Sequence, residues 1–398
     1  MRIQDMREQM SFRCTYMRGG TSKAVFFKKS DLPLDEKLRD EIIMAVFGTD
    51  VRQIDGLGGA DITTSKVAII GPPTRPDADV DYNFGQVQMG SHKIVWTSNC
   101  GNISSAVAPY AIDEGMIKNI TEPITEVRIH NTNTHKILTA RIHVKDGRMQ
   151  YCGDFHLDGV PGTASKIELD YKLTYGATTG KLLPTGNVVD KLMVEGFGPV
   201  QASLVDIANP TCFILAGSVG LRGDESKPEL SAMKDKLELL EKIRAAAAVK
   251  MGYIDKAENA LEKSTTRPML SIVSPAKDYV DYATQKPIHA EDLDFLARVL
   301  WNQEPVDTYT GTGTICTCVA AQIEGTLVNQ VCGPEPAKTG IVRFGHGRGI
   351  NSVATEVVKH TDGSFEVTKA VINRTARRIL DGYVYVKTDV INAAMNED

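Results

Sequence analysis

The stretch Asn99–Ile117, NCGNISSAVAPYAIDEGMI, limits the fold more than any other part of the chain. It sets a cysteine between two asparagines, follows with Gly101, and continues through Ala106, Val107, Ala108, Tyr110, Ala111 and Ile112. Small apolar residues in that order make a closely packed helix, with Ser104 and Ser105 as expected caps and Gly115 as its stop. Such a helix start leaves backbone N–H groups unpaired beside a positive dipole end and so offers a cradle to a carboxylate or phosphate. The same field draws the Cys100 thiol toward thiolate. A buried cysteine in a tight turn before a core helix is the other reading.

A second stretch echoes the first. Thr310-Gly311-Thr312-Gly313-Thr314 opens the small-residue segment Ile315 to Ile323, which stops at Glu324-Gly325 as the earlier one stops at Glu114-Gly115. The echo extends upstream. Phe12–Tyr16, the turn Met17 to Lys23 and Ala24–Phe27 read as strand, polar turn and strand, and so do Val200–Val205, Asp206 to Thr211 and Cys212–Ala216. The helical periodicity of Asp35–Phe47 matches that of Glu229–Lys250, and Lys66–Ile70 matches Met269–Ser274, which has no lysine. At 398 residues the chain exceeds one ordinary core. Two similar halves are expected, 1–184 and 185–381, with the Gly/Thr/Pro-rich run 176–186 as the crossover and a last strand at about 382–388 returning to the first half. Their two polar helix starts would face each other across a cleft. In the second half the partner of Cys100 is Thr310 or Thr312, so that half offers donors rather than a second thiol.

Further strands are expected at Asp79–Phe84, Lys93–Trp96, Glu126–His130, Gly340–Gly345 and Ser364–Val371, a hairpin at Asp146-Gly147, turns at Asn131–Thr134 and Asp158–Thr163, and a helix over Ala290–Trp301. Lys66 follows the glycine loop Asp55–Asp61 and Ser65. It is either a lysine that snorkels to the surface or an ammonium facing a cleft, where desolvation would pull it from about 10.4 toward the working pH, as a general base requires. Arg348, in His346-Gly347-Arg348-Gly349, reaches a carboxylate bidentately or is solvated.

The formal charge of −5 argues against nucleic acid as a main partner. No apolar run approaches the roughly 20 residues of a membrane span, and MRIQDMREQMSF lacks a signal-peptide core. Seven scattered cysteines, 14, 100, 152, 212, 316, 318 and 332, suit a reducing cytoplasm rather than a disulfide framework. Cys316 and Cys318 lack a second pair and read as buried helix residues, not as a metal site. A cleft lined by Thr, Ser and Asn with one lysine and one thiol suits a small polycarboxylate. Proton removal beside an unsaturated bond gives a dienolate that can be reprotonated elsewhere, without a redox or metal cofactor. The alternatives are an amino-acid racemase or epimerase with two thiols, which needs Cys316 to face Cys100, and a polycarboxylate-binding protein without turnover.

Met17–Lys23, Gln53–Asp61, Thr64–Ile69, Asp79–Tyr82, Asn99–Ser104, Asp158–Gly162 and Pro184–Asn187 together resemble the PrpF family over nearly the whole chain. That family contains 2-methylaconitate and aconitate isomerases, 4-oxalomesaconate tautomerase and methylitaconate delta-isomerase; Val51–Asp81, Asn99–Gly115 and His130–Asn133 look most like the last group. The resemblance implies an α+β, diaminopimelate-epimerase-like fold: two pseudo-symmetric domains, each a central helix wrapped by mostly antiparallel sheet. It implies Lys66 and Cys100 as catalytic residues. It implies substrate contacts from Gly19, Gly20, Thr21, Ser22, Asn99, Gly101, Asn102, Thr312 and Gly313, and no cofactor; Ser65, His346 and Arg348 are expected substrate contacts beside these. The expected partner is a small unsaturated di- or tricarboxylate; a homodimer is left open. Two places depart from the family pattern: Pro305–Tyr309, where a histidine is usual before the Thr-Gly turn, and Gly347-Arg348, where Pro-Ser is usual. Both bear on which acid is taken.

Overall fold

The computed structural model describes residues 8–96, 99–157 and 159–396. Asp158, part of one expected turn, lies outside them. The chain divides into unit 1, Met1–Leu169 with Asn373–Asp398, and unit 2, Asp170–Ile372.

Unit 1 is built on strands β1 (Gln9–Gly19), β2 (Ser22–Lys28), β3 (Lys66–Gly71), β4 (Val80–Val87), β5 (Ile124–Asn131) and β6 (Lys136–Lys145). Consecutive pairs run antiparallel, parallel, antiparallel, parallel and antiparallel. Helix α1 (Glu36–Phe47) connects β2 to β3, capped by Asp35 and stopped at Gly48, φ 82°. Helix α2 (Gly101–Asp113) connects β4 to β5. All but two of its residues are buried, and it touches β1, β2, β3, β5, β6 and the closing strand Ala376–Lys387. An all-round apolar helix of small residues requires such an enclosure.

Unit 2 repeats the plan. Its strands are β7 (Gly198–Val205), β8 (Thr211–Leu215), β9 (Met269–Pro275), β10 (Phe295–Trp301), β11 (Ile341–His346) and β12 (Gly349–Lys359). Their pairings follow the same order of senses. Helix α3 (Lys234–Lys250) stands where α1 does, and α4 (Gly311–Gln322), buried along most of its length, stands where α2 does. The repeat read from sequence is thus present at the level of strand pairing, in a mixed sheet.

Four sequence expectations change. Ala290–Trp301 is not a helix: a single 3-10 turn precedes β10, and FLARVLW pairs between β9 and β11. An apolar run buried on both faces carries no strand alternation, so periodicity cannot distinguish it from a helix. The helix expected over Glu229–Lys250 breaks at Met233, leaving Lys227–Ala232 as a separate turn and a half with a Ser226/Glu229 capping box. Gly349–Lys359 is a strand, so Gly347 and Arg348 form a two-residue hairpin turn. The division falls at Leu169 and Asn373. The run 176–186 is tied to unit 2 through Gly176 and Asp206 backbone bonds, and the closing strand pairs with β1 from Gly19↔Ala376 to Gln9↔Lys387.

The closing strand also holds the C-terminal end of α2. Glu114 is nearly buried there and accepts from Lys28 at 2.8 Å, from Arg13 at 3.2 Å and from Arg378. Burial pushes its carboxyl up, but hydrogen bonds from Lys28 and Arg378 and the charges of Lys28 and Arg13 outweigh this and hold it below its ordinary 4.5. A depressed carboxylate contributes stability above its unfolded value and loses it as pH falls through the folded one. Glu114→Gln is therefore expected to cost about 2 kcal/mol near neutrality. In thermal melts the variant should also show a flatter decline below about pH 5 than the parent.

Candidate active site

The site is built from the β1–β2 turn, the start of β3 and the start of α2, all in unit 1. Gly19 and Gly20 lie directly on the first turn of α2. A Cβ on Gly19 would stand 2.5 Å from the Asn102 carbonyl oxygen, and one on Gly20 would overlap the Asn102 side-chain amide. Gly20 also has φ +51° and donates its N–H to Thr375 O, which Arg18 braces through bonds to Gly20 O and Thr375 O. In return Asn102 Nδ2 donates to Thr21 Oγ1 at 2.9 Å and Ser22 Oγ at 3.3 Å.

Cys100 is the N-cap of α2, half-buried and in extended conformation, and its side chain makes no capping bond. Ser104 and Ser105 do not cap the helix either. Ser104 Oγ donates to Cys100 O and Asn99 Oδ1, and Ser105 Oγ donates to Asn102 O. Both hydroxyls bond back to carbonyls one turn earlier, as buried helical serines do. The first-turn amides of Gly101 and Asn102 are thus left uncapped by these side chains, beside Cys100. Asn99 is fixed by Asn131 Nδ2, whose Oδ1 is bonded by Thr134. Asn133 bonds both backbone groups of Phe84 and the Trp96 carbonyl. The 131–134 turn is therefore the support under the approach to α2.

Lys66 is the first residue of β3 and is buried. Its Nζ donates to Gln86 Oε1 and lies 5.4 Å over the Phe84 ring, so it does not snorkel to the surface. Ser65 is fully buried, and its hydroxyl is committed to Gln53 Oε1 at 2.6 Å, where the Ala60 N–H also bonds. It supports Lys66 rather than offering a free hydroxyl. The glycine loop is closely packed: a Cβ on Gly56 would overlap the end of α1, on Gly58 the Gln53 side chain, and on Gly59 that of Thr64.

In unit 2 the same frame carries different chemistry. The residue paired with the neighbouring strand as Lys66 is with Ala24 is Met269, opposite Thr211. Thr310 is the N-cap of α4 and is thereby the counterpart of Cys100; its hydroxyl accepts from the Gly313 N–H at 3.1 Å. Thr312 is buried in the first turn. His346 is buried, accepts from the Arg348 N–H, and is pushed down to about 3 by burial and the nearby Arg298 charge, so its ring is neutral. Arg348 has a carboxylate partner within the unit: its Nε lies 2.8 Å from Asp281 Oδ1 and its guanidinium over Tyr282. Cys316 and Cys318 are fully buried, as expected, and burial pushes Cys316 up to about 12 while its Sγ contacts Val205 O.

Sequence reasoning missed Gln86, Gln53, Asn131 and Asn133. Gln86 carried no local signal, because it meets Lys66 only through the register of β3 on β4. The glycines of 56–59 read in the sequence as a mobile loop, whereas in the fold they pack closely around Gln53, Thr64 and the end of α1. Gly20→Ala is expected to displace Asn102 and to cost about 1 to 3 kcal/mol through positive φ and overlap. Urea unfolding measures that loss, and activity should fall by more than the unfolded fraction explains.

The PrpF protein model matches residues 9–387. The chain is 48% identical over 383 residues to the 3-methylitaconate isomerase of Eubacterium barkeri, covering 96% of this chain and 99% of that one. It is 36% identical over 394 residues to the 2-methyl-aconitate isomerase of Cupriavidus necator, covering 96% and 98%. A crystal structure of methylitaconate-delta-isomerase superposes with a TM-score of 0.85 at 47% identity, over 97% of this chain and 98% of that one. A hydroxyproline epimerase from Agrobacterium vitis shares the fold alone, with a TM-score of 0.54 at 13% identity over 98% and 99%. The expected diaminopimelate-epimerase-like α+β fold is therefore the one present, and the chain belongs to the PrpF family.

Proposed function

We propose that the protein is a cofactor-independent isomerase that moves or inverts the double bond of a small unsaturated di- or tricarboxylate of the methylitaconate or aconitate type. The observation that carries this reading is a buried lysine on a neutral acceptor in the same unit as an uncapped helix start led by a cysteine. Similarity to a 3-methylitaconate isomerase over 96% of the chain makes methylitaconate the first acid to try.

Lys66 takes a proton from the carbon next to the double bond. The electron pair left on carbon spreads through the alkene onto a carboxylate, giving a dienolate, and a proton returned to another carbon completes the shift. Nothing is oxidised or reduced overall. In this reading the amides of Gly101 and Asn102 and the Thr21 hydroxyl hold carboxylate oxygens, where charge grows as the proton leaves. Cys100 serves as a second acid/base or as a donor at the same end. Thr312, Gly313, His346 and Arg348 remain candidates for substrate contact; the Gly313 amide and the Arg348 guanidinium would have to leave the partners they now hold. The two-thiol racemase reading loses ground, because the Cys316 thiol is fully buried and engaged inside unit 2. Seven free cysteines suit a reducing cytoplasm.

The test is proton NMR in heavy water with 3-methylitaconate, 2-methylaconitate, cis- and trans-aconitate and 4-oxalomesaconate. Deuterium should enter one acid together with a shifted or inverted double bond. Lys66→Ala should abolish exchange, a fall of at least about 10³-fold, with an unchanged melting temperature. Full exchange in that variant would overturn the role of Lys66, and binding without exchange by the parent would leave a carboxylate-binding protein.

A further inference from the structure

We infer that Gln86 is a positioning residue for Lys66: its side-chain amide, fixed at its nitrogen, presents one neutral acceptor that aims Nζ in both its protonation states. The inference rests on the proposed role of Lys66 as proton carrier.

Gln86 stands directly opposite Lys66 in the β3–β4 ladder and is buried. Its Nε2 donates to Ser65 O at 2.9 Å and to Val87 O at 3.3 Å. A flipped amide would turn Oε1 onto two carbonyl oxygens and Nε2 onto the lysine, so the orientation is fixed by the backbone around it. That leaves Oε1 facing Nζ, and it is the only hydrogen-bond acceptor of Nζ among the described residues. Phe84 lies two residues earlier on the same face of β4 and supplies the wall beside the amine. The carboxylate whose charge Lys66 affects, Asp61, is occupied by the Thr63 N–H and hydroxyl.

This arrangement suits a group that must change charge during the reaction. As an amine, Nζ donates one N–H to Gln86 and keeps its lone pair for the substrate proton. As an ammonium it keeps the same bond, so no reorganisation accompanies the transfer. A carboxylate in the place of the amide would instead favour the ammonium and withhold the lone pair.

The experiment uses the full chain and the acid of the panel that exchanges, 3-methylitaconate first, and follows kcat, KM and the pH–rate profile. Gln86→Glu is expected to move the rising limb of the profile upward by about one to three pH units. Gln86→Met, similar in size but without a strong acceptor, is expected to lower kcat about 10- to 100-fold with KM held within about threefold. Melting temperatures are taken for both; should Gln86→Met fail to fold, the Gln86→Glu profile still decides. A Gln86→Glu profile that superimposes on the parent's, or a Gln86→Met enzyme with parental kcat, overturns the inference while Lys66→Ala stays inactive. Exchange retained in Lys66→Ala is a failure of the functional reading itself, and the role of Gln86 falls with it.

Discussion

The contact on which the site depends is the approach of the Gly19-Gly20 turn to the first turn of α2. Gly19 lies on the helix backbone and Gly20 on the Asn102 side chain, at separations that leave no room for a Cβ on either glycine. The helix is consequently fixed at its N-terminal end by shape and by the Asn102 bonds to Thr21 and Ser22. Its other end is fixed by charge, with three cations converging on Glu114. A helix enclosed by strands and held at both ends cannot slide. That immobility lets a loop residue such as Cys100 keep a defined position at the helix start.

The two units show what the frame permits once it exists. They share the order and sense of strand pairing and the placement of both helices, yet they differ at the two positions proposed to carry the chemistry. Lys66 corresponds to Met269, and Cys100 corresponds to Thr310. The second exchange alters more than a side chain. Threonine at the N-cap satisfies a first-turn amide itself, whereas the Cys100 side chain leaves that group to another partner. Unit 1 therefore gives up a cap that commonly contributes about 1 kcal/mol, and its helix start stays open to an anion. Unit 2 has the capped, more stable form of the same element.

How much of this was legible in the sequence follows from the range of the interactions. The central helices, the internal repeat and the lysine at the head of a buried strand were readable, because local composition and spacing determine them. The strand Phe295–Trp301 was not, since a run of seven residues buried on both faces in all but Trp301 looks alike as helix or strand; its place in the repeat, matching Val80–Val87, was the available clue. Ser104 and Ser105 read as caps from residue type, but a cap must precede the first turn, and the helix begins at Gly101. Ser65 is expected as a substrate contact, and only the fold reveals Gln53, to which its hydroxyl is committed. Gln86 was invisible for the same reason: an antiparallel partner across an eight-residue connection, 72–79, has no register until the sheet is formed.

The glycine loop before Lys66 shows how stability and geometry are weighed in this site. Gly56, Gly58 and Gly59 each make the unfolded chain freer, at about 0.4 to 1 kcal/mol apiece relative to alanine. Gln53, which they surround, takes a positive φ and keeps its Nε2 buried without a hydrogen-bond partner among the described residues, a further cost of about 1 to 3 kcal/mol. Against this stand two hydrogen bonds at its Oε1, from Ser65 and Ala60, worth about 1 kcal/mol each. The loop is also tied to the end of α1, where the Leu57 and Gly58 N–H groups donate to Val46 O and Phe47 O. It seats Ser65, and with it the carbonyl that fixes Gln86, so that the acceptor facing Lys66 is set by two segments of chain instead of one. Through Gln53, Ser65 and Gln86 the loop reaches the lysine, and this is the path by which its geometry bears on the proposed proton transfer.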